Sequence, residues 1–161
     1  MYARHRRTHG FTLIELVITV AIVGLLTTAA MPLAKLAAQR AKETELRASL
    51  REIRNALDAY KLAGDQGRVE IKLGDSGYPP TLQTLVDGIE DARSETKVKI
   101  YFLRHIPRDP FFPDGTAAAA DTWGLRSYAS PPDAPQPGDD VYDVYSLTSG
   151  KGINGVPYHD W

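Results

Sequence analysis

Hydrophobic positions divide the chain into three stretches. Residues 11–31 are almost entirely apolar, and Glu15 is their only charged side chain. Residues 32–63 are amphipathic, with a stripe spaced as one face of a helix. The stripe consists of Leu46, Leu50, Ile53, Leu57 and Tyr60. We therefore predict one helix from Phe11 to Ala63, followed by a small head over residues 64–161. The first half of that helix is apolar all round, and its stripe packs under the head unless it forms a coiled-coil seam.

Three residues interrupt the predicted helix. Pro32 falls where the apolar run ends, and an interior proline removes a hydrogen bond and kinks a helix. The helical pattern resumes directly after it, so we predict a kink rather than a stop. Gly24 and Pro32 bracket a weak stretch of the helix. Gly64 is the predicted C-terminal stop, and charged residues fill the other faces of the helix. These are Lys42, Glu43, Glu45, Arg47, Arg51, Glu52 and Arg54.

The head alternates short apolar runs with glycine and proline. Residues 76–89 are predicted to form a turn and a short helix, residues 98–103 a short strand or an extended stretch, and residues 123–130 and 140–147 half-buried strands. The segment SPPDAPQPGDD, residues 130–140, is a loop. The expected fold class is α+β, a long helix packed on a small antiparallel sheet.

Composition excludes several kinds of chemistry. The 161 residues carry a net charge of −1 and no cysteine, so thiol catalysis, disulfides and cysteine-based zinc sites are excluded. A mildly acidic chain is not expected to bind nucleic acid. His105 and His159 have no partner histidine at ligand spacing. Asp109 is predicted to cap a turn, and Asp139 and Asp140 to be solvated loop charges. We expect no catalytic residue.

The N-terminus leaves three interpretations open. A basic flank (Arg4, His5, Arg6, Arg7, His9) precedes an apolar run that is long enough to cross a bilayer. The positive-inside rule places that flank in the cytoplasm and the head outside. The segment is a signal peptide cut near Thr28-Ala29-Ala30, an uncleaved anchor, or a leader cut after Gly10.

The sequence GFTLIEL, residues 10–16, resembles the signature of type IV pilins and pseudopilins. The resemblance implies that a prepilin peptidase cuts after Gly10, that Phe11 is then N-methylated, and that Arg7 matters to the peptidase. Cleavage would create an amine at a helix end that already carries partial positive charge. Glu15, one turn further on, could pair with that amine or with a neighbouring subunit's. Because a buried charge requires a partner, we predict that Glu15 determines assembly.

Four head segments and the terminal Trp161 make the resemblance more specific. The segments YPPTLQTL, FLRHIPRDPF, WGLRSY and YDVYSLTSGKG occur in the order found in major pseudopilins of type II secretion. The resemblance implies a pilin-like structural subunit of a periplasmic filament that drives protein export. Its implied partners are copies of itself, minor pseudopilins, the inner-membrane assembly platform and the prepilin peptidase. A type IV pilus pilin and a membrane-anchored periplasmic enzyme or binding module are the alternatives.

The same resemblance directs attention to a calcium site. Major pseudopilins bind Ca²⁺ in the loop after this last strand, but residues 146–161 depart from the pattern. Ser149 and Gly150 replace an expected acidic residue, and a later acidic pair is reduced to Asp160. Ca²⁺ takes six to eight oxygens, and the candidates are the Leu147 carbonyl, Ser149, Asn154 and Asp160. We expect no cofactor, with turns and packing closing the loop. Tyr158 and Trp161 are expected to seal the head, with contact to a neighbouring subunit as the alternative.

Overall fold

The computed structural model describes residues 10–161. Arg7, the basic flank and the rest of the predicted leader before Gly10 lie outside the described residues. The chain divides into two compact units, one ending at Gln39 and the other comprising Arg40–Trp161. The segment boundaries that we place after residues 31 and 63 concern function, and they stay predictions.

Helix α1 runs from Leu13 to Asp65, so it begins and ends two residues later in the chain than predicted. Thr12 determines the start, because its Oγ1 accepts the backbone N–H of Glu15 at 3.3 Å and so caps the first turn. The helix continues through Gly24 and Pro32, which confirms that Pro32 does not stop it. The kink at these two residues stays a prediction.

The predicted stop at Gly64 is wrong, because α1 ends in a Schellman motif three residues later. Gly67 has a φ of 68°, a left-handed conformation that glycine adopts without steric cost. The N–H of Gly67 donates to the Gly64 carbonyl at 2.8 Å, and the N–H of Arg68 donates to the Ala63 carbonyl at 2.9 Å. These two bonds satisfy carbonyls that the helix end would leave open.

The predicted stripe of α1 forms the centre of the head's core. All five of its side chains are at most 6% exposed, which confirms core packing under the head rather than a coiled-coil seam. Full burial of such a side chain contributes about 1.5–3 kcal/mol. The buried residues that the head adds are Val69, Leu82, Leu85, Leu103, Ile106, Trp123, Val141, Val144 and Tyr158.

A short helix and a two-stranded sheet follow α1. Helix α2 spans Leu82–Asp87, within the range predicted for it. Strand β1, Ile89–Glu90, pairs antiparallel with β2, Lys99–Ile100. Strand β2 is shorter than the predicted 98–103 because Phe102 and Leu103 turn away from the ladder. Both of their N–H groups donate to the Leu85 carbonyl of α2, at 3.1 and 3.0 Å.

A second antiparallel pair lies later in the chain. Strand β3, Trp123–Arg126, pairs with β4, Asp143–Ser146, and the loop over 130–140 is confirmed. Short 3₁₀ turns occur at Ala119–Thr122 and Tyr158–Asp160. The α+β class is confirmed, but residues 10–161 form two separate two-stranded sheets. Strand β3 ends early because the Ser127 N–H donates to the Gln136 carbonyl instead, at 2.9 Å.

Several polar side chains are partly or fully buried. Glu43 is only 6% exposed and Arg54 is half-buried, although neither is part of the predicted apolar stripe of α1. Asp109 does cap its turn, because Oδ1 accepts the Phe111 N–H at 2.8 Å. Its other oxygen also accepts the hydroxyl of Ser146 on β4, a contact that the sequence did not suggest.

Asp140 is also not a freely solvated loop charge. Its Oδ1 accepts the Ser127 hydroxyl at 2.6 Å and the Tyr128 N–H at 3.0 Å. Burial by itself would raise the pKa of Asp140, but hydrogen bonds from Ser127, Ser76 and the Tyr128 N–H outweigh it and lower that pKa. Asp140 therefore ties the 130–140 loop to the end of β3, whereas Asp139 is exposed.

Candidate assembly site

The N-terminal unit presents a continuous apolar surface. Every large apolar side chain from Phe11 to Leu36 is between 44% and 81% exposed. By length and composition α1 could cross a membrane. An exposed apolar surface of this extent marks an interaction with lipid or with other protein.

The hydroxyl groups within this surface are satisfied inside the helix itself. Thr19 donates to the Leu16 carbonyl, Thr27 to Val23 and Thr28 to Leu25, at 2.8, 2.7 and 2.7 Å. Such internal bonding is what a helix in hydrocarbon requires, because lipid offers no partners. Glu15 is therefore the polar side chain of residues 13–31 that most needs an external partner.

Glu15 lies three residues after the Thr12 N-cap, at the spacing of a capping box. The structure shows one half of that motif, the bond from the Glu15 N–H to Thr12 Oγ1 at 3.3 Å. This N-cap was not among the predicted features, although the Thr-x-x-Glu signature is present in residues 12–15. Phe11 precedes the cap and is 80% exposed. Pairing of Glu15 with an amine on Phe11 stays a prediction.

The structure disperses the calcium candidates. Asn154 lines a depression of about 270 Å³ together with Arg47, Arg51 and Arg54, and its Oδ1 accepts the Val156 N–H at 3.2 Å. Its side-chain oxygen is therefore engaged in a turn of the loop itself.

Asp160 lines a second depression, of about 240 Å³, with Arg54 and Arg126, and its Oδ1 contacts Nδ1 of His159. Leu147 and Ser149 lie on the exposed surface. Within residues 10–161 no three carboxylate, histidine or cysteine side chains converge as metal ligands. Two oxygen donors in separate arginine-lined depressions do not fit Ca²⁺, which requires many oxygens and usually several carboxylates.

The tail aromatics seal the head, as predicted. Tyr158 is 3% exposed and stacks on Phe111 with ring centroids 4.2 Å apart. Trp161 meets Tyr158 edge-on at 5.0 Å, and the Arg47 guanidinium lies 4.0 Å from the centre of its ring.

The methylation signature and the helix behind it define a class of protein. Residues 5–31 match the family model described as the prokaryotic N-terminal methylation motif, which covers the GFTLIEL sequence and the apolar run. Along most of its length the chain is also similar to proteins named type II secretion system core protein G. It is 26% identical to that of Klebsiella pneumoniae over 142 residues, which are 84% of this chain and 94% of the relative.

Two further relatives carry the same name. Identity is 27% over 132 residues with the protein of Pseudomonas aeruginosa, covering 76% of this chain and 85% of the relative. It is 23% over 155 residues with that of Dickeya chrysanthemi, covering 93% and 94%. No solved structure matches significantly. The resemblance to the major pseudopilins of type II secretion is confirmed.

Proposed function

We propose that this chain is a structural subunit of a type II secretion pseudopilus. After processing, many copies would polymerise through their N-terminal helices into a filament that drives protein export. The main support for the proposal is the match of residues 5–31 to the methylation motif. The apolar helix that begins within this motif has an exposed surface. Four relatives named core protein G support it. The chain acts as a building block rather than as an enzyme.

The proposed location follows from the apolar helix and the basic flank before it. The precursor crosses the inner membrane once, with its N-terminus in the cytoplasm and its head in the periplasm. Its partners are other copies of the chain, minor pseudopilins, the inner-membrane assembly platform and the prepilin peptidase.

Processing is tested by the intact mass and N-terminal residue of the protein from isolated membranes. We expect a chain that begins at N-methylated Phe11. A chain that begins near Met31 would mean an ordinary signal peptide, and an uncut chain in cells with active prepilin peptidase would mean a simple anchor. Either result would overturn the proposal. Gly10→Leu should remain uncut and provides the negative control.

Assembly is tested at Glu15. A carboxylate within a bilayer costs about 2.5–3.5 kcal/mol, and pairing with an amine of a neighbouring subunit removes much of that cost. Glu15→Leu should therefore insert normally but reduce filament yield at least about tenfold, since losing one partner of a buried pair costs several kcal/mol. Filament yield is measured by shearing and quantitative immunoblotting.

Thr19→Val is the matched control for Glu15. It changes a polar residue in the same apolar stretch, but the Thr19 hydroxyl is satisfied by the Leu16 carbonyl. Its filament yield should equal that of the native chain. Equal filament yields from Glu15→Leu and the native chain would refute the role of Glu15 in assembly.

A further inference from the structure

We propose that Arg54 acts as a built-in cation that fastens the C-terminal segment of the head to α1, so that the head folds without calcium. The C-terminal segment is here residues 143–161. Arg54 and Glu43, both on α1, hold this segment through polar contacts.

The Arg54 guanidinium donates hydrogen bonds to oxygen atoms at both ends of this segment. Its Nε donates to Asp143 Oδ1 at 2.7 Å. Its Nη2 donates to the Val144 carbonyl at 3.2 Å and to the main-chain oxygen of Trp161 at 2.9 Å. One carboxylate and two main-chain oxygens around a positive charge are the kinds of ligand that a structural Ca²⁺ collects. Because guanidinium donors are directional, a single side chain joins strand β4 to the chain's last residue.

Glu43 makes the complementary contacts in the middle of the segment. Its Oε1 accepts the Ile153 N–H at 2.9 Å and the Tyr158 hydroxyl at 3.1 Å. The carboxylate is buried, and hydrogen bonds to a charged acceptor are stronger than those between neutral groups. A bound metal would hold this loop by binding the loop's carbonyl oxygens. Glu43 instead holds the loop by accepting hydrogen bonds from its N–H and hydroxyl groups.

The loop closes on itself between these contacts. The Gly152 N–H donates to the Val156 carbonyl at 2.8 Å, and the Tyr158 N–H donates to the Gly150 carbonyl at 3.0 Å. Asn154 and Asp160, two of the four candidate calcium ligands, both lie in depressions that Arg54 also lines. Its positive charge opposes binding of a divalent cation there. The same arginine therefore fastens the segment and disfavours the metal.

The first test uses the unaltered full chain in detergent micelles. Thermal unfolding is followed by circular dichroism in excess EDTA and in millimolar CaCl₂. A site filled at a hundred times its Kd would raise Tm by about 5–10 °C in a chain of this size. We expect a shift below about 1 °C, and no sensitised terbium luminescence when Tb³⁺ is added as a calcium probe. A calcium-dependent rise in Tm, or saturable terbium binding, would overturn the proposal.

The second test measures how firmly the segment is held. Trypsin can cut after Lys151, and mass spectrometry gives the initial rate of that cut. Arg54→Met should raise the rate at least about tenfold and lower Tm by at least about 4 °C, with and without CaCl₂. Arg40→Met is the matched control, because Arg40 is an exposed arginine of the same helix that lines neither depression, and it should change neither quantity.

Glu43 offers a second, conservative pair of variants. Glu43→Gln keeps an oxygen that can accept the Ile153 N–H and should stay close to the native cleavage rate, whereas Glu43→Ala should accelerate the cut. If Arg54→Met and Glu43→Ala both left the cut at Lys151 unchanged, these two residues would not hold the segment. Recovery of slow cleavage in Arg54→Met on adding CaCl₂ would also contradict the proposal, because it would reveal a metal site.

Discussion

Replacement of Asp109 by alanine should destabilise the head substantially, although the sequence around Asp109 is typical of a turn. Asp109 is 3% exposed. One carboxylate oxygen accepts the Phe111 N–H and the other accepts the hydroxyl of Ser146, which is fully buried on β4. The side chain therefore joins the turn at residues 109–112 to strand β4.

The expected magnitude follows from the donors that alanine leaves behind. A buried donor without a partner costs about 1–3 kcal/mol. Asp109→Ala leaves the Ser146 hydroxyl and the partly buried Phe111 N–H unpaired, so the expected loss is about 2–5 kcal/mol. Ser146→Ala also leaves partners behind, because Asp109 Oδ2 loses its donor and the Thr148 N–H loses the acceptor that it contacts at 3.2 Å; it should cost about 1–3 kcal/mol. Asp109→Asn keeps one acceptor oxygen and should cost less than Asp109→Ala.

Urea unfolding of the full chain in detergent micelles measures these free energies. Trp123 provides the fluorescence signal, because its ring is buried and its Nε1 donates to the Pro107 carbonyl at 2.8 Å. The double variant should show a coupling energy of about 1–2 kcal/mol between Asp109 and Ser146. A loss below about 0.5 kcal/mol for Asp109→Ala, or strictly additive effects of the two variants, would refute the reasoning.

Two further predictions concern the end of α1 and the behaviour of the head in acid. Gly67→Ala should lower the unfolding free energy by about 1–2 kcal/mol, because its left-handed φ penalises a Cβ. Gly115→Ala, whose Cβ would meet open space, should be neutral in the same urea titration. Hydrogen bonds hold the pKa of Asp140 below its ordinary value of 3.8, so its contribution to stability is present above that value. The contribution is lost as pH falls through the lowered pKa. Asp140→Asn should therefore flatten the decline of unfolding free energy between about pH 5 and pH 2. The exposed Asp139→Asn should not, and an equal slope in both variants would contradict this.

The long helix and its buried stripe were predicted from the spacing of the apolar residues. The apolar run and the stripe from Leu46 to Tyr60 repeat at helical spacing, and the structure places them in one helix with the stripe buried. Two further signals were present but unused. Glu43 lies three residues before Leu46, so it continues the stripe and would have been recognised as buried. Thr12 and Glu15 have the spacing of a capping box.

The sequence by itself determined the membrane-length helix, the methylation motif and the head's α+β class, because each rests on spacing within a few consecutive residues. Only the tertiary structure decided which polar groups meet. Arg54 contacts residues 89 to 107 positions away, Glu43 contacts a backbone N–H 110 positions away, and Asp109 reaches Ser146 across 37. Such partners depend on how the head folds back onto α1, and no local pattern encodes that path. Calcium binding is a further example. The candidate oxygen ligands can be named from the sequence, but only the fold shows that Asn154 and Asp160 lie beside arginines.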